Sequence, residues 1–273
     1  MLEGCGISCF HLGLQSEKRL FVTSQFPGLN PHIFTIYRFM VAIYFAGFTL
    51  WYFPYSVTNL GWKIFIYLTN WTFIVVTCYL LVASYNSLVH YRNVTRRGTI
   101  LVSSSADIPD LPFIYKLQWF LYYLAANMSI IVTVVYWTAL YSKGNLDFIH
   151  LFINLNVHTL TSFVAISETM LSATPFRFIH VVYPLCYGVV YVFFTIIYWV
   201  AGGTGKYGHS YIYPIIDYEN DPGKAVLSIV GCIIGIFVFQ VVLWVMFILR
   251  LKLAGKLLRT NNANERSADE TTV

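Results

Sequence analysis

Six apolar stretches, each long enough to cross a lipid bilayer, constrain the fold of this chain more than any other feature of its sequence. An α-helix rises about 1.5 Å per residue, so about 20 apolar residues cross the ~30 Å of hydrocarbon in a bilayer. Only 11% of the 273 residues are charged, against roughly a quarter in soluble domains. The stretches are Ile33 to Phe53, Trp62 to Val82, Phe113 to Leu140, Phe148 to Leu171, Val181 to Ala201 and Val226 to Leu249. The sequence therefore predicts an all-α fold, a polytopic membrane helical bundle with six transmembrane helices.

The predicted membrane domain covers residues 33–249, between an N-terminal tail, residues 1–32, and a C-terminal tail, residues 250–273. An alternative with four spans and two buried or re-entrant helices leaves continuous apolar stretches, such as residues 181–201, unexplained. Hydropathy therefore favours six crossings.

Basic residues at the ends of the stretches indicate the orientation, because positively charged flanks resist translocation across the membrane. One side carries thirteen Lys and Arg residues and the other side carries four. The larger set is Lys18, Arg19, Arg38, Arg92, Arg96, Arg97, Lys116, Arg177, Arg250, Lys252, Lys256, Arg259 and Arg266. The smaller set is Lys63, Lys143, Lys206 and Lys224. We therefore predict that both termini are cytoplasmic, and the membrane accounts for the +5 net charge better than a nucleic-acid partner does.

Motifs for metals and cofactors do not emerge from the sequence. The five cysteines lack the close spacing typical of a disulfide framework or a metal site. Gly202, Gly203 and Gly205 precede Lys206, but the spacing of a phosphate-binding loop is absent and no strand precedes them. We therefore expect no cofactor and no bound metal.

Polar residues inside the predicted spans are the candidates for function, because a charge near the bilayer centre costs at least about 2.5–3.5 kcal/mol on insertion scales. Asn154, His158 and Glu168 recur in the fourth stretch along one helical stripe, which indicates a face turned towards other helices or a cavity. Thr69 and Thr72 are hydroxyl candidates in the second stretch. On the predicted topology, Thr69 and His158 lie roughly 10 and 15 Å below the same membrane face.

A hydroxyl beside a neutral imidazole can attack an ester, while nearby polar donors stabilise the oxyanion. If the second and fourth stretches touch, Thr69 is the candidate nucleophile and His158 the candidate base. Asn154, one turn above His158, is the candidate orienting group, because Glu168 lies ~15 Å further along the helix. The alternative is that these groups only form hydrogen bonds between helices.

Two of these assignments keep alternatives. Thr69 is the first residue of Thr-Asn-Trp-Thr, so Thr72 is an alternative nucleophile. Glu168 is expected to meet a cation near the cytoplasmic end, such as Lys116 or Arg177, or to stay protonated in apolar surroundings.

The candidate residues carry a family resemblance. Asn154-x-x-x-His158-Thr159, followed by Glu168, together with Trp62-Lys63-x-x-x-x-Leu68-Thr69, resembles the androgen-induced gene one family of multi-pass membrane proteins. That resemblance implies hydrolysis of fatty acid esters of hydroxy fatty acids, with Thr69 as nucleophile and His158 as its partner.

A second resemblance covers more of the chain, from about residue 18 to 258, and is to the rolling stone family. It rests on His180-Val-Val-Tyr-Pro184, Tyr198-Trp-x-Ala-Gly-Gly203, Tyr211-Ile-Tyr-Pro214 and the turn Pro222-Gly-Lys224. This resemblance implies a plasma-membrane protein with a role in myoblast fusion. The favoured hypothesis is therefore an intramembrane lipid esterase of the rolling stone type; the alternatives are a non-catalytic fusion protein and a transporter or channel.

Further partners follow from short patterns and from the membrane itself. Lipids are the expected substrate or environment, in the plasma membrane rather than the endoplasmic reticulum. The C-terminal Thr271-Thr-Val273 is typical of a ligand for PDZ domains. Gly231 and Gly235 have a spacing that permits close helix approach, either to an internal neighbour or to a second copy in a homo-oligomer.

Overall fold

The structure, a computed structural model, describes residue 14 and residues 16–97, 111–141 and 147–271. Its α-helices are Pro31–Leu60, Leu68–Arg97, Phe113–Val135, Phe148–Leu155, Thr161–Leu171, Val182–Val200 and Pro222–Thr271. Six helical stretches in this part of the chain are long and apolar enough to cross a membrane. In chain order, the first to sixth spans are Pro31–Ile66, Leu68–Thr95, Phe113–Leu140, Phe148–Leu171, Phe178–Val200 and Pro222–Thr260. The predicted all-α, six-span fold is confirmed.

The junction between the first two spans shows how local sequence sets the helix ends. The first helix begins at Pro31, where the Asn30 side chain accepts a hydrogen bond from the backbone N–H of His32, which is typical of an N-cap. It ends before Gly61, whose φ of 63° suits glycine. Residues Gly61–Ile66 then form a 3-10 helix, so the α-helix of the second span begins at Leu68, later than the predicted start at Trp62.

Two π-helical turns interrupt the third and fourth spans. Tyr136–Leu140 ends the third span, and Asn156–Leu160 divides the fourth. The segments lie side by side, because the Trp137 indole N–H donates to the Thr159 hydroxyl at 2.9 Å. Since π-helical turns occur frequently at functional sites, this pair is a candidate location for one.

The second and third spans form the centre of the bundle. In the most apolar part of the third span 67% of the residues are buried, against 22% in the corresponding parts of the fifth and sixth spans. The second span contacts the fourth at its π-helical turn. Spans two and four are therefore neighbours, as a Thr69–His158 pair requires.

Part of the predicted N-terminal tail packs into the end of the bundle. The 3-10 turn Lys18–Phe21 places the Phe21 ring in full burial, 5.3 Å from the ring of Trp119. Backbone hydrogen bonds at 2.9 Å then join Thr23 to Ala173 and Gln25 to Leu171. This end is the predicted cytoplasmic end, and the opposite end is called the outer end below.

Residues 201–221 cover the outer end between the fifth and sixth spans. The Lys63 ammonium donates to the Thr204 hydroxyl at 2.7 Å and to the Gly205 carbonyl at 3.2 Å. The Tyr198 hydroxyl donates to the Thr204 carbonyl at 3.0 Å. These bonds fix the loop over the helix ends, and we call residues 201–221 the outer loop.

Candidate functional site

A cavity of about 350 Å³ lies beneath the outer loop, between the third, fifth and sixth spans. Its wall is largely aliphatic, with Met128, Leu185 and Ile236 towards the middle of the bundle. The amino end of the second span and the outer loop close it from the outer side. Because ligand sites are typically apolar cavities of about 300–1,000 Å³ with a few placed polar groups, this cavity is the candidate site.

Hydroxyl groups gather at the outer end of the cavity. Tyr191 donates to the Ile66 carbonyl at 2.8 Å and accepts from the Leu68 backbone N–H at 3.1 Å, which fixes the amino end of the second span. Tyr213, from the outer loop, faces Thr69 and Tyr191, and all three residues line the cavity. Burial raises the pKa of Tyr213 to about 12, so its hydroxyl stays protonated at neutral pH and can donate a hydrogen bond.

Thr69 is the predicted nucleophile that reaches this site. It is 8% exposed and lies in the first turn of the second span, on the cavity wall. Thr72, one turn further along, is 1% exposed and does not line the cavity. Of the two alternatives, Thr69 is therefore the hydroxyl placed to meet a ligand.

His158 lies near the cavity but not on its wall. Its imidazole stacks on the Tyr136 ring, with centroids 3.5 Å apart and planes 2° apart. Tyr136 does line the cavity. Both Thr69 and His158 belong to the described part of the chain, and no hydrogen bond joins them. The structure thus brings Thr69 to the cavity and places His158 behind the Tyr136 ring.

The predicted contact between Asn154 and His158 is absent from the described hydrogen bonds. The Nδ1 atom of His158 is buried without a hydrogen-bond partner. The backbone carbonyl of His158 accepts a hydrogen bond from Thr133. In the structure, packing against Tyr136 and the π-helical turn therefore hold the His158 ring, and Asn154 does not.

Glu168 pairs with a residue that the sequence analysis assigned to the membrane flank. The Nη2 atom of Arg38 lies 2.7 Å from Oε2 of Glu168, and Nε donates to the same carboxylate at 3.2 and 3.3 Å. The Tyr79 hydroxyl donates to Oε2 at 2.8 Å. Glu168 thus meets a cation near the cytoplasmic end, as predicted, but the cation is Arg38 of the first span and not Lys116 or Arg177.

A second buried cation lies at the same end of the bundle. Arg250 is 1% exposed and donates to the backbone carbonyls of Thr169 and Thr174 at 2.8 and 2.9 Å. Glu168 is therefore accompanied by two buried arginines, Arg38 and Arg250. These charges are fully enclosed at the cytoplasmic end, whereas the hydroxyl groups of the cavity lie at the outer end. The ion pair therefore belongs to the packing and not to the candidate site.

Three tyrosines complete the polar end of the cavity, and the sequence did not assign them to a site. Tyr191 lies within an apolar stretch, and the loop from Gly202 to Lys224, with Tyr213 and Tyr218, is predicted only as an ordered, aromatic lid or belt close to the headgroups. The run of tyrosines in residues 207–218 was the available signal, but hydropathy alone does not say that a loop folds inward. Among the described residues, no group of three or more His, Cys, Asp and Glu side chains is placed to hold a metal ion.

Six spans, with a cavity between the third, fifth and sixth of them, define an integral multi-pass membrane protein. The model of the family described as "Protein rolling stone" matches residues 9–261, so the chain belongs to the rolling stone family. It is 29% identical over 218 residues to Protein rolling stone of Drosophila melanogaster, which covers 80% of this chain and 78% of the fly protein. No solved structure matches the chain.

Proposed function

We propose that this rolling stone family protein hydrolyses lipid esters inside the membrane, with Thr69 as the nucleophile. The observation that carries the proposal is the position of Thr69, which presents a hydroxyl-bearing side chain to an apolar cavity of about 350 Å³. An apolar cavity among membrane-spanning helices suits a lipid chain, and a hydroxyl on its wall can attack an ester group of that lipid.

The reaction proceeds in two steps. Oγ1 of Thr69 attacks the ester carbonyl carbon, and the Tyr213 hydroxyl donates to the developing oxyanion. The C–O bond to the alcohol then breaks, and the proton that the base took from Thr69 passes to the leaving alcohol oxygen. Water then hydrolyses the acyl-threonine and releases the fatty acid. His158 is the proposed base; because Tyr136 covers its imidazole, the Tyr136 ring must turn aside before the imidazole can take the Thr69 proton.

Labelling by a lipid-like fluorophosphonate tests this proposal on the full-length protein in detergent or nanodiscs. Thr69→Ala should abolish labelling and ester hydrolysis, whereas Thr69→Ser should retain both, since it keeps the hydroxyl. Thr138→Ala is the matched control, because Thr138 lies in the third span and is exposed away from the cavity. Unchanged labelling of the correctly folded Thr69→Ala protein would rule out Thr69 as the nucleophile.

A second candidate function is a non-catalytic role in cell–cell fusion at the plasma membrane, which the family resemblance implies. The observation that favours it is the fixed outer loop, which presents Tyr207 with 76% of its surface exposed. Replacing residues 206–211 with a Gly-Ser linker should then reduce fusion of cells that express the protein, while Thr69→Ala should not. Normal fusion with the linker would argue against this role.

The proposed homo-oligomer and the proposed PDZ-domain partner do not depend on which of the two candidate functions is correct. A Cβ atom at Gly231 would meet no other atom within 4 Å, so this glycine does not pack against an internal neighbour. A homo-oligomer through Gly231 and Gly235 stays a proposal, to be tested by the mass of the detergent-solubilised protein. The PDZ ligand also stays a proposal, because Val273 lies outside the described residues.

A further inference from the structure

The cavity has the volume of one lipid chain. At about 350 Å³ it is more than twice the ~150 Å³ cavity that admits benzene in other proteins. If a methylene group occupies about as much space as a water molecule, ~30 Å³, the cavity holds on the order of a dozen of them. The two chains of a membrane phospholipid exceed this volume by far, so the cavity suits a lipid with a single chain.

The residues that line the cavity indicate the orientation of a bound lipid chain. Met128, Leu185 and Ile236 surround the inner end of the cavity, and Thr69 and Tyr213 lie at the outer end. Along the sixth span, the wall extends from Ser228 to Ile236, a rise of about 12 Å. The methyl end of a chain therefore fits towards the bilayer centre, and its polar end fits beneath the outer loop.

The polar end of the cavity offers hydrogen bonds but no charge. Among the described residues that line it, none is Lys, Arg, His, Asp or Glu. Burying an ionised carboxylate or phosphate without a partner is costly, so a free fatty acid anion or a lysophospholipid is disfavoured. A neutral carbonyl oxygen, in contrast, can accept hydrogen bonds from the hydroxyls of Thr69 and Tyr213.

The geometry points to a neutral ester of one fatty acyl chain as the ligand of this cavity, with its carbonyl at Thr69 and Tyr213 and its methyl end at Met128 and Ile236. The description of this ligand as a substrate rests on the proposed function. Binding of the ester does not depend on its hydrolysis.

Photo-crosslinking tests the assignment on the full-length protein in nanodiscs. The probe is a fatty acyl ester with a diazirine near the methyl end of its chain. Labelling should map to the inner wall of the cavity, and an excess of the unmodified ester should reduce it at least tenfold. Equal competition by a diacyl phospholipid or by the free fatty acid at pH 8 would overturn the assignment.

Two glycines provide a matched pair of variants. A Cβ atom at Gly188, on the cavity wall, would lie 3.3 Å from Cδ1 of Ile236, and a leucine side chain there would fill the space. Gly47 lies in the first span with open space around it. Gly188→Leu should reduce crosslinking at least tenfold, whereas Gly47→Leu should leave it unchanged; full crosslinking of folded Gly188→Leu protein would contradict the assignment.

A measurement on the unaltered chain covers the case in which Gly188→Leu does not fold. Cys232 lines the cavity, while Cys186 is exposed on the fifth span. Bound ester should slow the reaction of Cys232 with N-ethylmaleimide at least tenfold and leave Cys186 unaffected; equal rates with and without ester would overturn the assignment. Protection of Cys232 without any hydrolysis would instead contradict only the proposed esterase activity.

Discussion

The Arg38 guanidinium and the Glu168 carboxylate lie 2.7 Å apart at their closest atoms, and neither side chain is exposed. These residues are 130 positions apart in the sequence. Arg38 also donates to the Phe21 carbonyl at 2.6 Å. One side chain thus joins the N-terminal segment, the first span and the fourth span at the cytoplasmic end of the bundle.

Breaking this ion pair should destabilise the protein strongly. Glu168→Gln leaves the Arg38 charge buried without a counter-ion. Arg38→Met likewise leaves the Glu168 carboxylate buried without a counter-ion. Removing one partner of a buried pair typically costs about 3–5 kcal/mol. The midpoint of thermal unfolding in detergent should fall clearly for both variants.

The double variant Arg38→Met with Glu168→Met distinguishes a charge effect from lost packing. Replacing both members of a buried pair by apolar groups is often nearly neutral, so the double variant should be more stable than either single variant. Ser167→Ala, next to Glu168, is the control and should unfold like the unaltered protein. If the loss of stability in the double variant equals the sum of the losses in the two single variants, the two charges do not stabilise one another.

Burial of the Phe21 ring should hold the N-terminal segment against the cytoplasmic end of the bundle. Its ring is fully buried against Trp119 and Tyr115. Truncating such a ring to alanine typically costs about 3–5 kcal/mol. Phe21→Ala should therefore make the segment around residues 17–29 sensitive to protease in permeabilised cells, whereas His32→Ala, at an exposed position, should not. Equal resistance in both variants would show that the ring does not hold the segment in place.

The sequence predicted the six crossings because an apolar stretch of about 20 residues has few other stable structures in a chain of this length. It did not predict the partner of Glu168, since Arg38 reads as a flanking charge until helix packing places it opposite the fourth span. The sequence predicted Thr69 as a candidate from its position in the second span, and the residue lines the cavity. The cavity and the Tyr136 stack on His158 were not, because they depend on π-helical turns and on an inward-folded loop that hydropathy does not reveal.

The orientation of the bundle is a prediction that rests on thirteen basic residues against four. Epitope tags at both termini should bind antibody only after the plasma membrane is permeabilised. A tag inserted after Tyr207, which is highly exposed in the outer loop, should bind antibody in intact cells when the protein is at the cell surface. Labelling of a terminal tag in intact cells would reverse the topology and move the cavity to the opposite leaflet.

Adding a side chain at Gly205 should displace the outer loop from its position over the cavity. A Cβ atom there would lie 2.3 Å from the Tyr211 backbone carbonyl oxygen, and backbone cannot move aside as the end of a flexible side chain can. Gly205→Ala should therefore displace the loop, remove Tyr213 from the cavity and reduce both esterase activity and crosslinking by the acyl ester. Gly223→Ala is the matched control, since its added Cβ atom would approach only the Asp221 side chain, at 4.0 Å. If Gly205→Ala retains full crosslinking, the loop does not close the site, and the carbonyl of the ligand must be held by the second span alone.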